Sequence, residues 1–229
     1  MPADAAATRR KLIDAAARAF ADHGVYRASL IEITRQAGQR NRGALHYHFG
    51  SRTGVLCAVL ERHVEFLADR EGELLKVALA APDDDVASVV EAIVRPAAEL
   101  AESGWRGRAF LVILAELVGE DPASLDDELN AVLARTGGHA VYELLEQRVG
   151  PMTPEVRVER LSLATAFVLR AVADRARAGG RRRSSGRAQL DFEAFVTNLV
   201  TMVAAAVSTP PRGGGKAPRN RPPGASPLT

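Results

Sequence analysis

The chain has 229 residues, of which 47% are hydrophobic and 25% charged, the balance of a folded protein with a buried core. This composition excludes a wholly disordered chain, and the single cysteine, Cys57, excludes a disulfide framework and any multi-cysteine metal site. The longest apolar run, residues 109–115, is far shorter than the roughly 20 residues that a membrane-spanning helix needs. The N-terminus carries Arg9, Arg10 and Lys11 and lacks the apolar segment of a signal peptide, so we expect a cytoplasmic protein.

The formal net charge of +2 conceals an uneven distribution of charge along the chain. Residues 1–62 carry ten basic and five acidic side chains, whereas residues 63–180 carry twelve basic and twenty-one acidic ones. Two further basic clusters lie at 181–187 and 208–229. A basic head on an acidic body indicates an anionic partner for the head. The alternative is a chance fluctuation within a short segment.

The first part of the chain has the periodicity of short helices, and strand-like alternation is nearly absent. The first helix carries an apolar stripe of Leu12, Ile13, Ala16, Ala19 and Phe20. We expect it to end at His23-Gly24, because glycine favours a turn there. A second helix is predicted over 29–37, with a serine cap at its start and Gly38 at its end. A third fits residues 42–49.

The rest of the chain is also predicted to be helical, which defines an all-α fold class. The predicted helices span about 51–80, 84–102 (with a kink at Pro96), 105–117, 124–149 (broken at Gly137-Gly138), 154–178 and 190–207. Residues 179–187 are rich in Gly, Arg and Ser and indicate a mobile loop. We expect three parts: a basic head over 1–50, a body over 51–207 that starts with a linking helix over 51–80, and a disordered basic tail over 208–229.

Residues 30–49 have the pattern of two short helices joined by a tight turn at Ala37-Gly38, which is a helix-turn-helix unit. The apolar positions that would hold the two helices together are Leu30, Ile33, Ala37, Leu45 and Phe49. In such a unit the third helix enters the major groove and the second crosses the DNA backbone. The third helix and its preceding turn carry side chains that bind phosphates or base edges, namely Arg40, Asn41, Arg42, His46, Tyr47 and His48.

The segment from Thr8 to about Arg62 resembles the DNA-binding domain of the TetR family of bacterial transcriptional regulators. The matching residues are Ala15-Ala16, Phe20, His23-Gly24, Ile33, Ala37-Gly38, the run Arg42-Gly43-Ala44-Leu45-His46-Tyr47-His48-Phe49, Ser51-Arg52 and Val55-Leu56. The family is all-helical, dimeric and controlled by a small ligand bound in the C-terminal body. The resemblance therefore implies an N-terminal three-helix helix-turn-helix domain joined to a C-terminal helical domain for ligand binding and dimerisation.

The sequence departs from the family pattern in the recognition region. Four residues, 39–42, separate the turn glycine from the glycine of the third helix, where the family usually has three, and Asn41 is then a candidate helix cap. Thr34 replaces a usual alanine, and its hydroxyl can bond back to the helix. His46 stands where the family often has a tyrosine.

The resemblance places Tyr47 and His48 at the DNA surface, with the Tyr47 hydroxyl on a phosphate; a half-buried aromatic is the alternative. We expect His46 and Arg42 to contact base edges, and Arg52 matches the family's phosphate-contacting basic position at the start of the fourth helix. The predicted DNA-binding set is completed by Ser29, Arg35, Arg40, Asn41 and Gly43. For the first two of these, a helix cap and a solvated surface charge are equally good explanations.

The acidic body carries apolar and amphipathic side chains on helices that would surround a central effector cavity. The candidates are Trp105, Phe110, Ile113, Leu114, Leu117, Tyr142, Phe167 and Arg170. Ordinary core packing is the alternative for each. Glu116 and Arg170 are charges within apolar stripes, so each needs a partner or a ligand, unless they pair with each other or reach solvent.

The last two long helices, about 154–178 and 190–207, have wide apolar faces. In the TetR family the corresponding helices form a four-helix dimer interface; intramolecular core is the alternative here. A two-fold dimer would hold two recognition helices in successive major grooves and bind a palindromic operator in double-stranded DNA.

These observations predict a homodimeric DNA-binding regulator, a repressor released by a small, mainly apolar effector. No metal or cofactor is expected, because His46 and His48 point to different sides of a helix and no cysteine or carboxylate completes a site. The sequence lacks a nucleophile–base pair, a pair of catalytic acids and a phosphate-binding loop, so an all-α enzyme is the weakest alternative. The other alternative is a helical adaptor that does not bind DNA.

Overall fold

The computed structural model describes residues 2–41, 43–118, 125–180 and 189–211. Over these ranges the protein forms ten α-helices and no strand, which confirms the all-α fold class. The helices are α1 (Pro2–His23), α2 (Leu30–Gln36), α3 (Ala44–Phe49), α4 (Arg52–Ala80), α5 (Val86–Glu102), α6 (Trp105–Leu117), α7 (Asp127–Ala134), α8 (Gly138–Arg148), α9 (Pro154–Gly180) and α10 (Phe192–Ser208). A search of the described helices found none with the length and apolar character needed to cross a bilayer.

The boundaries of α1 and α2 follow from local capping chemistry, as the sequence predicts. Gly24 follows α1 with φ at 89°, and Gly38 follows α2 with φ at 71°, a region that glycine enters without steric cost. The Ser29 hydroxyl accepts a hydrogen bond from the Glu32 backbone N–H at 3.3 Å, which satisfies one of the unpaired donors at the start of α2.

The three helices of the head pack through the apolar positions that the pattern predicts. Phe20, Ile33 and Leu45 are buried, while Leu30 and Phe49 are partly buried and pack against the same core. α1 contacts α2 and α4, and α3 contacts α2 and α4. The head is thus a small helical unit fixed to the start of α4.

Helix α4 connects the head to the body. The Ser51 hydroxyl caps it by accepting from the Gly54 N–H at 3.0 Å. Its 29 residues give a length of roughly 43 Å at 1.5 Å per residue. It contacts α1 and α3 in the head and α5, α6, α7 and α8 in the body, so any tilt of α4 moves the head. Cys57 is buried on this helix.

The centre of the body is formed by α5 and α6. The sequence predicts that α6 is apolar nearly all round and therefore central, and its residues from Ala109 to Leu114 are all buried. α5 contacts α4, α6, α8, α9 and α10. Pro96 lies inside α5, and the helix continues beyond it to Glu102.

The predicted break at Gly137 is confirmed, because this glycine has φ at 93° and separates α7 from α8. The helix α9 extends to Gly180, two residues beyond its predicted end at Ala178, so the expected loop starts later than predicted. The remainder of that loop and the basic tail from residue 212 onward lie outside the described residues.

Candidate DNA-binding surface and junction cleft

Helix α3 presents a polar face to solvent and an apolar face to the core. Ala44 and Leu45 are buried, whereas His46 and Tyr47 are exposed, with 83% of Tyr47 accessible. His48 is half-buried, and its ring meets that of Tyr47 edge-on, with centroids 5.1 Å apart. Two donor-bearing side chains therefore project from a short helix whose opposite face is anchored.

The turn before α3 is organised by Asn41. Its Oδ1 accepts a hydrogen bond from the Gly43 N–H at 2.9 Å, and its backbone carbonyl accepts one from the Ala44 N–H at 3.1 Å. Asn41 thus stabilises the start of α3, as expected of a cap, although Gly43 occupies the cap position itself. Arg40 is exposed beside this turn, and Arg42 lies outside the described residues.

Ser29 and Arg35 have local partners on α2, and both are exposed. Ser29 caps the helix, and the Arg35 guanidinium donates to both carboxylate oxygens of Glu32, at 2.6 and 2.8 Å. These hydrogen bonds, together with one from Gln36, lower the pKa of Glu32 to about 2. The α2 surface near α3 is therefore held in a defined arrangement by charge-assisted bonds.

The backbone of Val25, in the turn between α1 and α2, is held by two side chains, one on its carbonyl oxygen and one on its N–H. Arg52, at the start of α4, donates from Nη1 to the Val25 carbonyl oxygen at 2.8 Å. Glu116, near the end of α6, accepts from the Val25 N–H through Oε1 at 3.0 Å. This Val25 clamp joins the head to both the linking helix and the body. Of the alternatives left open for Glu116 and Arg170, mutual pairing does not occur, since Arg170 is exposed and donates to Asp174 at 3.1 Å.

Removal of the Glu116 acceptor is expected to loosen the Val25 clamp. The Glu116→Ala variant leaves the Val25 N–H, which lies in a buried residue, without its acceptor, at a cost of about 1–3 kcal/mol. We expect faster amide hydrogen exchange at Val25 and a lower free energy of unfolding. Glu116→Gln retains an oxygen acceptor and is the matched control. Equal exchange rates at Val25 in all three proteins would contradict the clamp.

A second contact between head and body centres on Asp14 of α1. Its carboxylate accepts from Arg106 of α6, at 2.7 and 3.0 Å, and from Arg62 of α4. The hydrogen bonds from Arg106 and Arg62 lower the pKa of Asp14 to about 2, against the opposing effect of partial burial. Three helices are thus joined by one carboxylate that remains ionised at neutral pH.

Between α1, α6 and the end of α9 lies a cleft of about 780 Å³, which we call the junction cleft. Its walls combine head and body, so that it lies beside the Val25 clamp. The lining residues are Arg18, Ala21, Asp22, His23, Gly24, Arg27, Trp105, Arg108, Ala109, Val112, Glu116, Ala176 and Arg177. The sequence predicts a mainly apolar effector cavity in the body, whereas this cleft is lined largely by charged and polar side chains.

Of the eight side chains predicted to surround an effector cavity, Trp105 lines the junction cleft and the others do not. Phe110, Ile113, Leu114 and Leu117 are buried in the core, and Tyr142 is partly buried against it. Phe167 and Arg170 are exposed on the outer face of α9, which corrects their predicted position inside the body. The structure therefore does not bring the eight residues together around one cavity.

Sequence reasoning missed a buried acid, Glu71, in the middle of α4. It is 7% exposed, and its Oε2 has no hydrogen-bond partner among the described residues. Burial raises its pKa to about 8. Helical spacing identifies the position, because Glu71 lies seven residues after Val64 and four after Leu67, on the apolar face that continues to Ala78.

The fold and the exposed face of α3 define the class of all-helical proteins with an N-terminal helix-turn-helix unit. The family model described as bacterial regulatory proteins, tetR family, matches residues 12–59. The model described as tetracyclin repressor-like, C-terminal domain, matches residues 91–206, about half of the chain. The protein belongs to the TetR family, which confirms the resemblance inferred from its sequence.

Similar proteins include two curated relatives. The A-factor receptor protein of Streptomyces griseus is 39% identical over 77 residues, 32% of this chain and 27% of the relative. The HTH-type transcriptional regulator SrpR of Pseudomonas putida is 47% identical over 58 residues, 25% of this chain and 27% of the relative. The matched segments thus span about a quarter of each relative's length.

A solved structure supports the fold over most of the chain. The fatty acid degradation regulator FadR from Bacillus halodurans aligns with 86% of this chain and 94% of its own, with a TM-score of 0.52. The two sequences are 16% identical, so this likeness concerns the fold alone.

Proposed function

We propose that this protein is a homodimeric repressor that binds a palindromic operator through α3 and is released by a small effector. The observation that carries the proposal is the exposed, donor-bearing face of α3, formed by His46 and Tyr47, within an N-terminal segment, residues 1–62, that has a net charge of +5. Membership of the TetR family supports the same function.

Within the proposed complex, α3 and the turn before it contact both base edges and phosphates. His46 and Arg42 contact base edges, and the Tyr47 hydroxyl donates to a phosphate oxygen. Arg40 adds positive charge beside the backbone. Arg52 also positions the head, because its Nη1 donates a hydrogen bond to the Val25 carbonyl oxygen in the Val25 clamp.

The proposed dimer interface is the outer apolar face of α9 with the neighbouring part of α10. Val156, Leu163 and Phe167 are exposed and lie seven and four residues apart, on one side of α9. Met202 of α10 is 48% exposed, and α9 and α10 contact each other. A two-fold axis through this face would bury these side chains and pair the two heads.

Substitution of Tyr47 tests the proposed function directly. DNA selected in vitro by the full chain supplies an operator, and fluorescence anisotropy measures its affinity. Tyr47→Phe removes one hydrogen bond to a charged phosphate from each head, so operator binding should weaken roughly 150-fold at about 1.5 kcal/mol per head. The salt dependence should stay unchanged because no charge is lost. Tyr142→Phe, in the body, is the control and should bind as the wild type does.

Two results would contradict the proposal. Failure of the wild-type chain to select any sequence would argue against a specific regulator. Equal operator affinities of wild type and Tyr47→Phe would show that the Tyr47 hydroxyl does not bind the operator.

The proposed effector is small and mainly apolar and enters the body near α6. Phe110 and Ile113 are at most 1% exposed, so the effector must separate packed helices to enter. That separation is the conformational change that would move α4 and alter the spacing of the two heads. A thermal-shift screen with apolar and aromatic compounds tests this, and a true effector must both stabilise the protein and lower operator affinity.

A further inference from the structure

The junction cleft carries more positive than negative charge. Four arginines line it, Arg18 and Arg27 from the head and Arg108 and Arg177 from the body. Two carboxylates, Asp22 and Glu116, also face it, together with His23. With the histidine counted as neutral, the cleft holds two net positive charges. One of the carboxylates, that of Glu116, is already engaged by the Val25 N–H.

Two of these arginines have no protein partner among the described residues. Arg27 and Arg108 form no hydrogen bond or ion pair with any other residue in the part of the chain that the structure describes. The other two have partners, since Arg18 stacks on the Trp105 ring at 3.8 Å and Arg177 donates to Asp174 at 3.2 Å. These two guanidinium groups belong to different parts of the protein, since Arg27 lies on the head and Arg108 on α6.

We propose that the junction cleft is a binding site for a small polyanion that carries phosphate groups. Guanidinium groups present several N–H donors in a planar fork that matches phosphate oxygens. The cleft volume of about 780 Å³ lies within the range of small-molecule sites. The ligand bridges Arg27 of the head and Arg108 of the body, so it connects the two parts beside the Val25 clamp. This site is separate from the one proposed for the apolar effector in the body.

The single tryptophan of the chain reports on this site. Trp105 lines the cleft and holds Arg18 against its ring, so an anion that draws the guanidinium away changes the indole fluorescence. Inorganic pyrophosphate is the probe, titrated into the full chain at constant ionic strength, with chloride as the reference anion. We expect a saturable change in emission with pyrophosphate and none with chloride.

Four variants locate the binding site. Arg27→Ala and Arg108→Ala should each weaken pyrophosphate binding about tenfold, since each removes one charged hydrogen-bonding partner. Arg135→Ala and Arg170→Ala remove the same charge from exposed positions outside the cleft and should bind as the wild type does. Circular dichroism of all four variants checks that the helices are intact.

Three outcomes would overturn the proposal. The first is the absence of a saturable fluorescence change in the wild-type chain. The second is an equal loss of affinity in the cleft variants and in the control variants, which would indicate general charge attraction. The third is a lower affinity of Arg27→Ala and Arg108→Ala for every DNA sequence with a reduced salt slope, which would identify DNA phosphate as the occupant.

Discussion

Replacing His46 with alanine is expected to weaken operator binding about 100-fold and to leave the affinity for unrelated DNA nearly unchanged. His46 is exposed on α3, whose other face is anchored in the core by Leu45. A base-edge contact contributes about 1–3 kcal/mol, and a dimer loses two of them. A loss near 1.4 kcal/mol in each head corresponds to the expected factor.

The measurement is fluorescence anisotropy with the selected operator and with a scrambled duplex of equal length. His139→Ala is the matched control, because His139 is an exposed histidine of the body that pairs with Glu143. A similar loss on both duplexes would show that His46 contacts the DNA backbone. Unchanged affinity on both would exclude His46 from the interface.

The Glu71→Gln variant is expected to lose a pH dependence of stability that the wild-type chain shows between about pH 4.5 and pH 8. Burial raises the pKa of Glu71 from 4.5 to about 8 in the folded state. Between these values the unfolded chain releases the proton and the folded chain keeps it, so the free energy of unfolding falls as the pH rises. The fall is on the order of 4 kcal/mol for a shift of this size. Above about pH 8 the carboxyl is ionised in both states and the cost stays constant.

Urea unfolding at several pH values measures this effect. The difference between wild type and Glu71→Gln isolates the contribution of this carboxyl from those of other groups. Glu73→Gln is the control, because Glu73 lies on the same helix but its side chain is 62% exposed and pairs with Arg70. Parallel pH profiles for wild type and Glu71→Gln would show that the buried carboxyl is not protonated at neutral pH.

Glu71, the pH-sensitive group, lies on α4, the helix that connects the head to the body. Oε2 of Glu71 approaches the turn between α7 and α8, where a Cβ added to Gly137 would lie 3.2 Å from it. A side chain larger than glycine would crowd this carboxyl and would also be strained by the positive φ of that residue. The glycine in this turn thus has a packing role in addition to ending a helix.

The helices and the recognition surface could be predicted from the sequence because they depend on neighbouring residues. Ser29 and Ser51 cap the helices that they precede through bonds to residues three positions away. Periodic apolar residues predicted α6 at its observed bounds, Trp105–Leu117. The exposed face of α3 follows in the same way, since six helical residues with Leu45 buried must direct His46 and Tyr47 outward.

The contacts between distant segments could not be predicted from the sequence. Glu116 and Val25 are 91 positions apart, and nothing local to either residue specifies that they meet. For this reason the sequence left open whether Glu116 binds Arg170, another partner, a ligand or solvent: a charge in an apolar stripe requires a partner, but its identity depends on how helices pack.

The sequence by itself therefore determined the helices, the family and the exposed face of α3, because capping, periodicity and short motifs act over one or two helical turns. Only the tertiary structure decided where the protein has a cleft large enough for a ligand. Packing fills the predicted apolar cavity with Phe110 and its neighbours and leaves a charged cleft at the junction of head and body. Side chains from α1, α6 and α9 form that cleft, and their proximity arises when the helices assemble.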